Sequence, residues 1–429
     1  MKYLIESYGC QMNIAESNAL ELMLQGQGIE RTEKPEEADA VIINTCSVRK
    51  SAENRIWGRL GFFSGIKKKK KQLLIVTGCM AERMQEELKA EAPFVDMVIG
   101  TNEKAKIPEF ILGSPLKEDK EYKFTTSYYK EGEFSSYVPI MNGCNNFCSY
   151  CIVPYVRGRE VSRSVEDIIK EICFLESKNV KEVTLLGQNV NSYKAEYNGS
   201  VVDFPTLLEI ITPYMKSIEF VRFESPHPKD FSDHLIRVIR DNEKVCKHIH
   251  LPMQAGSSRI LELMNRHTTR EKFLELVNKM KSEIPSLTLA TDVMTGFPTE
   301  TEEEYEETLS MMEAMECTEA FMYYFNPREG TRAATMDGQI DESVKIKRLE
   351  RLINEQIERQ KRIKEAMLPL SSRALITGIS RDDKDRYLAR DAHNNYFSLS
   401  SNRPLNEGEI VNVYADELSG NTFRGNVIE

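Results

Sequence analysis

Through most of its length the chain alternates short apolar runs with segments of helical spacing. This alternation restricts the fold more than any other feature. In residues 1–113 the runs are 2–7, 40–44, 73–77 and 97–100. Between them, 16–25, 52–63 and 81–90 repeat apolar residues at helical intervals. A strand–helix–strand order predicts a parallel sheet covered by helices, because parallel neighbours need a crossover between them. Three runs lead into cysteine: Tyr8-Gly9-Cys10, Asn44-Thr45-Cys46 and Thr77-Gly78-Cys79. The carboxyl ends of parallel strands share one edge, where ligands bind. The topology therefore predicts that these three distant thiols converge.

The alternation resumes at 136. Strand-like runs fall at 137–141, 182–186, 220–224, 248–252, 287–294 and 320–325, with helical patterns between them at, for example, 165–177, 231–240, 258–264, 270–284 and 302–315. Six such units predict a barrel or an incomplete barrel with its chemistry at the carboxyl ends of the strands. Polar groups cluster there: Gly187-Gln188-Asn189, Ser225-Pro226-His227-Pro228, Gln254-Ala255-Gly256-Ser257 and Thr295-Gly296-Phe297-Pro298. His227 and His250 stand at strand ends, either lining the site or filling core and rim. Residues 114–135 are polar and mixed and read as a linker or irregular ribbon. Past a basic helix, the runs 374–379, 387–389, 396–399, 410–414 and 422–427 predict a small β-barrel of the oligonucleotide-binding kind. The fold class is thus α/β, with three domains expected at 1–116, 130–362 and 363–429.

The 41% hydrophobic content is that of a globular protein. No apolar run approaches a membrane span, and the start lacks a signal-peptide core, so a soluble cytoplasmic protein without membrane contact is expected. The chain carries 57 Lys and Arg against 67 Asp and Glu, a net charge of −10. That balance argues against a protein devoted to nucleic acid, but it averages over domains. Residues 344–364 hold eight basic side chains against three acidic ones, either an RNA-facing surface or a solvated helix face. The run of lysines at 67–71 reads most simply as a solvated loop. Nine cysteines, an odd number in a chain without an export signal, favour metal or catalytic roles over disulfides. Cys173, Cys246 and Cys317 lack any such context and read as small buried hydrophobes.

The strongest motif is Gly143-Cys144-Asn145-Asn146-Phe147-Cys148-Ser149-Tyr150-Cys151, just past the first strand of the second region. Three thiolates on one short loop can hold three corners of an iron–sulfur cubane, leaving the fourth iron open to a substrate. Structural zinc is the alternative. It would want a fourth Cys or His nearby, and 152–172 contain none.

Cys-x3-Cys-x2-Cys with an aromatic before the last cysteine resembles the radical S-adenosylmethionine superfamily. The resemblance implies that Cys144, Cys148 and Cys151 hold a [4Fe-4S] cluster whose open iron chelates S-adenosylmethionine. It places Tyr150 near the adenine, and Gly187, Gln188, Gln254 and Asp292 where the family holds methionine and ribose. The segments Ser7-Tyr8-Gly9-Cys10-Gln11-Met12-Asn13, Asn44-Thr45-Cys46-Ser47-Val48-Arg49 and Thr77-Gly78-Cys79 resemble the methylthiotransferases within that superfamily. There, Cys10, Cys46 and Cys79 would hold a second [4Fe-4S] cluster, and the third domain would be an RNA-binding TRAM barrel. The stretch Cys151-Ile152-Val153-Pro154-Tyr155-Val156-Arg157-Gly158-Arg159-Glu160, with Ser162-Arg163, is similar to the branch acting on isopentenyl-adenosine in tRNA. Ser164 departs from it, since proline is common there. The resemblance implies a tRNA anticodon stem-loop as substrate, a low-potential electron donor of flavodoxin or ferredoxin type, a sulfur donor and a monomeric enzyme. Arg157, Arg159 and Arg163 are the candidate RNA contacts, unless they pair internally with acids such as Glu160 or Glu166. The alternatives are methylthiolation of a ribosomal-protein aspartate or of threonylcarbamoyl-adenosine, or a non-catalytic, zinc-stabilised RNA-binding module.

Overall fold

The computed structural model of the chain describes residues 1–47, 50–114, 129–130 and 132–428. Val48 and Arg49 of the second cysteine motif, and most of the expected linker 114–135, lie outside them. No helix among the described residues is long and apolar enough to cross a membrane.

Ala40–Thr45 reads Ala-Val-Ile-Ile-Asn-Thr and is buried at every position, as a strand covered on both faces must be. It is the middle of a five-stranded, wholly parallel sheet in the order Glu30–Arg31, Lys2–Ser7, Ala40–Thr45, Leu73–Gly78, Met97–Ile99. On one face Leu20, Leu24, Ile107 and Ile111 of helices Gln11–Gly26 and Lys106–Leu112 pack on Tyr3, Ile5 and Ile42. On the other, Ile56, Leu60 and Phe63 of helix Lys50–Lys67 pack on Val41, Ile43 and Val76. The chain leaves Lys2–Ser7 toward one edge of the sheet and returns on its other side. The order reverses there, and reversal opens a crevice at the carboxyl ends of the first two long strands. The helix expected over 81–90 is two shorter ones, Cys79–Arg83 and Gln85–Glu91.

Six parallel strands follow: Ser135–Pro139, Glu182–Leu186, Phe220–Phe223, His248–His250, Thr288–Thr295 and Glu319–Tyr324. They form two triplets, linked by a parallel bridge between Val221 and Val245. Among the described residues the first and last strands do not pair, so the barrel is open. Val183, Leu185, Val221, Ile249, Leu289 and Val293 join the helices in the main core. Strand alternation turns Thr184, Arg222, His250 and Asp292 to the other side, giving the barrel a polar interior. Ser164, the departure noted above, caps helix Val165–Ser177 by accepting from the Asp167 amide. Such a cap contributes about 1 kcal/mol. The hairpin Lys194–Tyr197/Ser200–Asp203 was not expected. Its turn is Asn198-Gly199, both at positive φ, the pairing a two-residue hairpin turn favours.

Leu370–Ile379, Tyr387–Asp391, Tyr396–Ser400, Ile410–Ser419 and Thr422–Ile428 close the small carboxyl-terminal barrel. It docks beneath the large barrel, at the amino ends of its strands. Arg222 Nη2 donates to the Asp391 carbonyl and Thr288 Oγ1 to the His393 carbonyl, each at 2.6 Å. Buried Glu182 receives Arg222 at 2.7 Å from its own barrel and Arg390 from the small one. The small barrel is therefore the floor of the large one. A cavity of 360 Å³ lies where all three units meet, lined by Ile14, Ser135, Tyr137 and Glu407 among others.

The basic helix is real, at Glu342–Glu365, but its four arginines are committed. Arg348 pairs with Glu300 and Glu302, Arg351 with Glu306 and Glu355, and Arg359 and Arg362 with Glu313. Lys364 donates to the Asn421 carbonyl at 2.9 Å. The helix packs along the acidic helix Glu302–Met315, which takes up its arginines. In the lysine run, Lys67 and Lys70 close the sheet's amino edge, pairing with Asp96 and Asp39. Cys246 and Cys317 are buried as expected, whereas Cys173 is exposed, on the outer face of its helix.

Candidate cluster and cofactor site

The three amino-terminal cysteines stand at the carboxyl edge of the first sheet. Cys10 caps helix Gln11–Gly26 and Cys79 begins helix Cys79–Arg83. Gly9 lies at φ +117°, and a Cβ there would fall 2.7 Å from Cys46 Sγ, so only glycine lets the first loop lie against the second. Asn13 ties the two loops, its Nδ2 donating to the carbonyls of Tyr8 at 2.7 Å and Thr45 at 3.0 Å. Cys10 and Cys79 interact electrostatically, and burial pushes the Cys79 thiol up. Cys46 and Cys79 are buried while Cys10 is exposed. One side of the trio thus faces solvent.

The second trio lies on the loop between Met141–Asn142 and helix Val153–Arg157. Gly143, at φ +81°, sits where a Cβ would strike the Arg159 carbonyl at 2.1 Å, and its amide donates to Gln188 Oε1 at 2.6 Å. Asn265 Nδ2 donates to the carbonyls of Asn146 and Phe147, both at 3.0 Å, and Ser149 Oγ to that of Leu263 at 2.8 Å. Burial, and then the neighbouring thiols, push Cys151 up to about 12. Burial is the main reason that Cys144 stands at about 11. Among the described residues no three Cys, His, Asp or Glu are close enough to hold one metal ion. A cubane takes each thiolate on a different iron, so its ligands stand farther apart than those of a single ion.

The residues expected around S-adenosylmethionine divide into two groups. Gln188 holds the cysteine loop through Gly143, and Gly187 packs against Met141, where a Cβ would lie 2.4 Å from Cγ. Tyr150, Gln254 and Asp292 surround the barrel mouth. Gln254, at φ +69°, accepts from the Tyr323 hydroxyl at 3.0 Å. Asp292 pairs with His250 Nε2 at 2.9 Å, while Glu224 lies 3.6 Å from Nδ1. Burial opposes charge on this ring, but the two carboxylates outweigh it and raise His250 to about 10. Its face rests on Phe321, centroids 5.2 Å apart.

Arg266, missed in the sequence, completes the mouth. Its Nη1 lies 3.5 Å from both Cys148 Sγ and the Tyr150 hydroxyl, and its Nη2 donates to the Pro252 carbonyl at 2.9 Å. Its Nε and the Nε2 of His227 are buried without hydrogen-bond partners among the described residues. Burial first, and nearby cations second, lower His227 to about 2, so the ring is neutral. Two orphaned donors beside a cysteine trio fit a polar, anionic ligand such as the carboxylate end of S-adenosylmethionine. Nothing marked Arg266 in advance. It sits in a turn whose neighbours Asn265 and His267 both take positive φ, and local composition did not announce this.

Of the three arginines expected to meet RNA, only Arg159 is exposed, stacked over the Phe147 ring at 4.4 Å. Arg163 is buried against Glu171, and Arg157 against Glu16. Pairing within the chain, the alternative, thus holds for two of the three, with partners other than Glu160 and Glu166.

An open barrel of six parallel strands, with three cysteines on the loop after its first strand, is the construction of a radical S-adenosylmethionine protein. The Radical SAM superfamily matches residues 138–312, and Uncharacterized protein family UPF0004 matches residues 2–100. The radical S-adenosylmethionine methyltransferase TsrM from Kitasatospora setae shares the fold, with a TM-score of 0.59 at 13% identity over 78% of this chain and 77% of that one. The chain is 44% identical to the tRNA-2-methylthio-N(6)-dimethylallyladenosine synthase of Treponema denticola, over 100% of both proteins. It is 43% identical to that of Bacteroides fragilis, over 99% of this chain and 95% of the relative. The chain belongs to the tRNA-2-methylthio-N(6)-dimethylallyladenosine synthase family of radical enzymes. Membership of the superfamily implies one [4Fe-4S] cluster and S-adenosylmethionine.

Proposed function

We propose that the chain attaches a methylthio group to carbon 2 of isopentenyl-adenosine at position 37 of tRNAs, next to the anticodon, using two [4Fe-4S] clusters. Full-length similarity to proteins of that name carries the reading. Cys144, Cys148 and Cys151 would hold the radical cluster, and Cys10, Cys46 and Cys79 the second. When bound, the radical cluster and S-adenosylmethionine supply one-electron chemistry able to activate an inert C–H bond. The protein's part is placement. Gln188 and Asn265 hold the cysteine loop, while Arg266 and His227 offer donors to the bound methionine end. His250, kept charged, fixes the Asp292 carboxylate at the mouth. A looped-out adenine would enter between the two trios, and the exposed Arg159–Phe147 stack offers a base a flat face. The electron donor would be of flavodoxin or ferredoxin type, the chain working as a cytoplasmic monomer with domains at 1–116, 130–362 and 363–429.

Anaerobic reconstitution tests this reading. The wild type should bind about eight irons, and either Cys→Ala triple variant about four. Methylthiolation should occur on isopentenylated anticodon stem-loops and not on unmodified ones. A wild type that binds four irons or fewer, or zinc, would remove the second cluster and the reading with it.

A further inference from the structure

A single stretch of six residues joins the two cysteine trios. Immediately after Cys151, Ile152 and Val156 pack on Cys79, and the Val156 carbonyl accepts from Thr101 Oγ1 at 2.8 Å. Arg157 ends the helix and crosses into the first domain. Its Nη1 donates to Glu16 Oε1 at 2.7 Å and to Asn142 Oδ1 at 3.2 Å. Its Nη2 donates to Asn13 Oδ1 at 3.1 Å and Glu16 Oε2 at 3.3 Å. Asn13 is the residue that ties the Cys10 loop to the Cys46 strand. Glu16 also receives Lys104, whose Nζ reaches Asn44 Oδ1 at 3.3 Å. All three charged side chains are at least nine-tenths buried.

A buried pair of this kind is weak evidence for stability, because desolvation consumes most of the attraction; its best-attested use is to fix register. The charges here also fail to cancel among themselves. Two cations face one carboxylate, leaving one positive charge in the interior beside Cys79 and Cys10, with which Arg157 interacts. A dipositive cubane core held by three thiolates is a monoanion, and the surplus matches it.

We propose that Arg157, through its bidentate contact with Glu16 and its bond to Asn13, is a positioning residue that locks the amino-terminal trio to the radical loop and supplies the second cluster's counter-charge. The inference rests on the two-cluster reading above. It explains why an arginine six residues beyond the last radical cysteine is turned away from RNA. It also makes the spacing between the clusters a property of one helix and one ion pair, independent of substrate.

The test uses the full chain, reconstituted anaerobically, as wild type, Arg157→Lys and Arg157→Gln. Lysine keeps the charge and loses the fork. Arg157→Lys should bind the wild-type amount of iron, with an altered dipolar splitting between the two reduced clusters in electron paramagnetic resonance. Its ratio of 5′-deoxyadenosine to methylthiolated product should rise about tenfold or more, since misplacement by about 1 Å can cost roughly a hundredfold. Arg157→Gln should in addition lose iron from the amino-terminal site alone. A wild type holding both clusters, with both variants at wild-type splitting and product ratio and only a lower melting temperature, would overturn the inference. A wild type without a second cluster would overturn the reading beneath it, and a four-iron wild-type result identifies that failure separately.

Discussion

At the level of single side chains, the barrel mouth is held by charges that burial would otherwise suppress. Arg266 touches Cys148, Tyr150 and the Pro252 carbonyl while leaving a buried Nε unpaired. Arg266→Gln should weaken S-adenosylmethionine binding about tenfold or more, the worth of a charge-assisted hydrogen bond, as read by equilibrium binding to the reconstituted protein. His250 makes a second prediction. Its folded-state pKa, about 10, stands above the ordinary value of 6.5 because of Asp292 and Glu224, against the pull of burial. The stabilisation is therefore complete below pH 6.5 and disappears as pH rises toward 10. Melting temperatures across pH 6 to 10 should fall more in the wild type than in His250→Gln. Equal slopes would show that the ring carries no such linkage.

Among secondary-structure elements, helix Glu342–Glu365 shows how sequence can mislead about a partner. Its eight basic residues suggested RNA, yet its four arginines pair with acids on or just before helix Glu302–Met315, 45 to 49 residues earlier and adjacent only in space. Neutralising exposed Arg351 and Arg362 should leave the salt dependence of tRNA binding nearly unchanged. Arg381 and Lys384, exposed on the small barrel, should each account for about 0.7 to 0.9 of the slope of log affinity against log salt. Titrations at several salt concentrations separate these outcomes. The strands were legible because burial on two faces leaves unbroken apolar runs such as Ala40–Thr45, and parallel topology then placed Cys10, Cys46 and Cys79 at one edge. What the sequence could not show was pairing across domains. Arg157 and Glu16 lie far apart in the chain, and nothing local distinguishes Arg157 from Arg159, two residues on and exposed. The hairpin at Asn198-Gly199 was missed because its strands are too short and polar to register by pattern, and only its turn pair marks it.

Across the whole molecule, the three units share their charges rather than merely touching. Glu182 compensates Arg222 from one barrel and Arg390 from the other. Glu182→Gln leaves two buried or half-buried cations without their anion and should cost about 3–5 kcal/mol in denaturant unfolding, far more than a surface change. Arg390→Gln should cost less, because Arg222 still holds Glu182. Equal losses would mean that the floor contact, not the charge balance, dominates. Removing the small barrel would therefore uncover Phe220 and Cys246 of the large one, which pack on Leu375 of the small barrel at that junction.

That floor also sets an order of events during synthesis. A chain released from its amino end exposes both cysteine trios, then Glu182 and Arg222, well before Arg390 and Asp391 emerge to cover them. Until the segment carrying Arg390 and Asp391 is made, the polar interior of the large barrel stays open to water from below. Arg390 follows Glu182 by 208 residues, so a chain cut between them would leave the floor of the large barrel uncovered. Docking of the small barrel is thus the step that closes the reaction chamber from below.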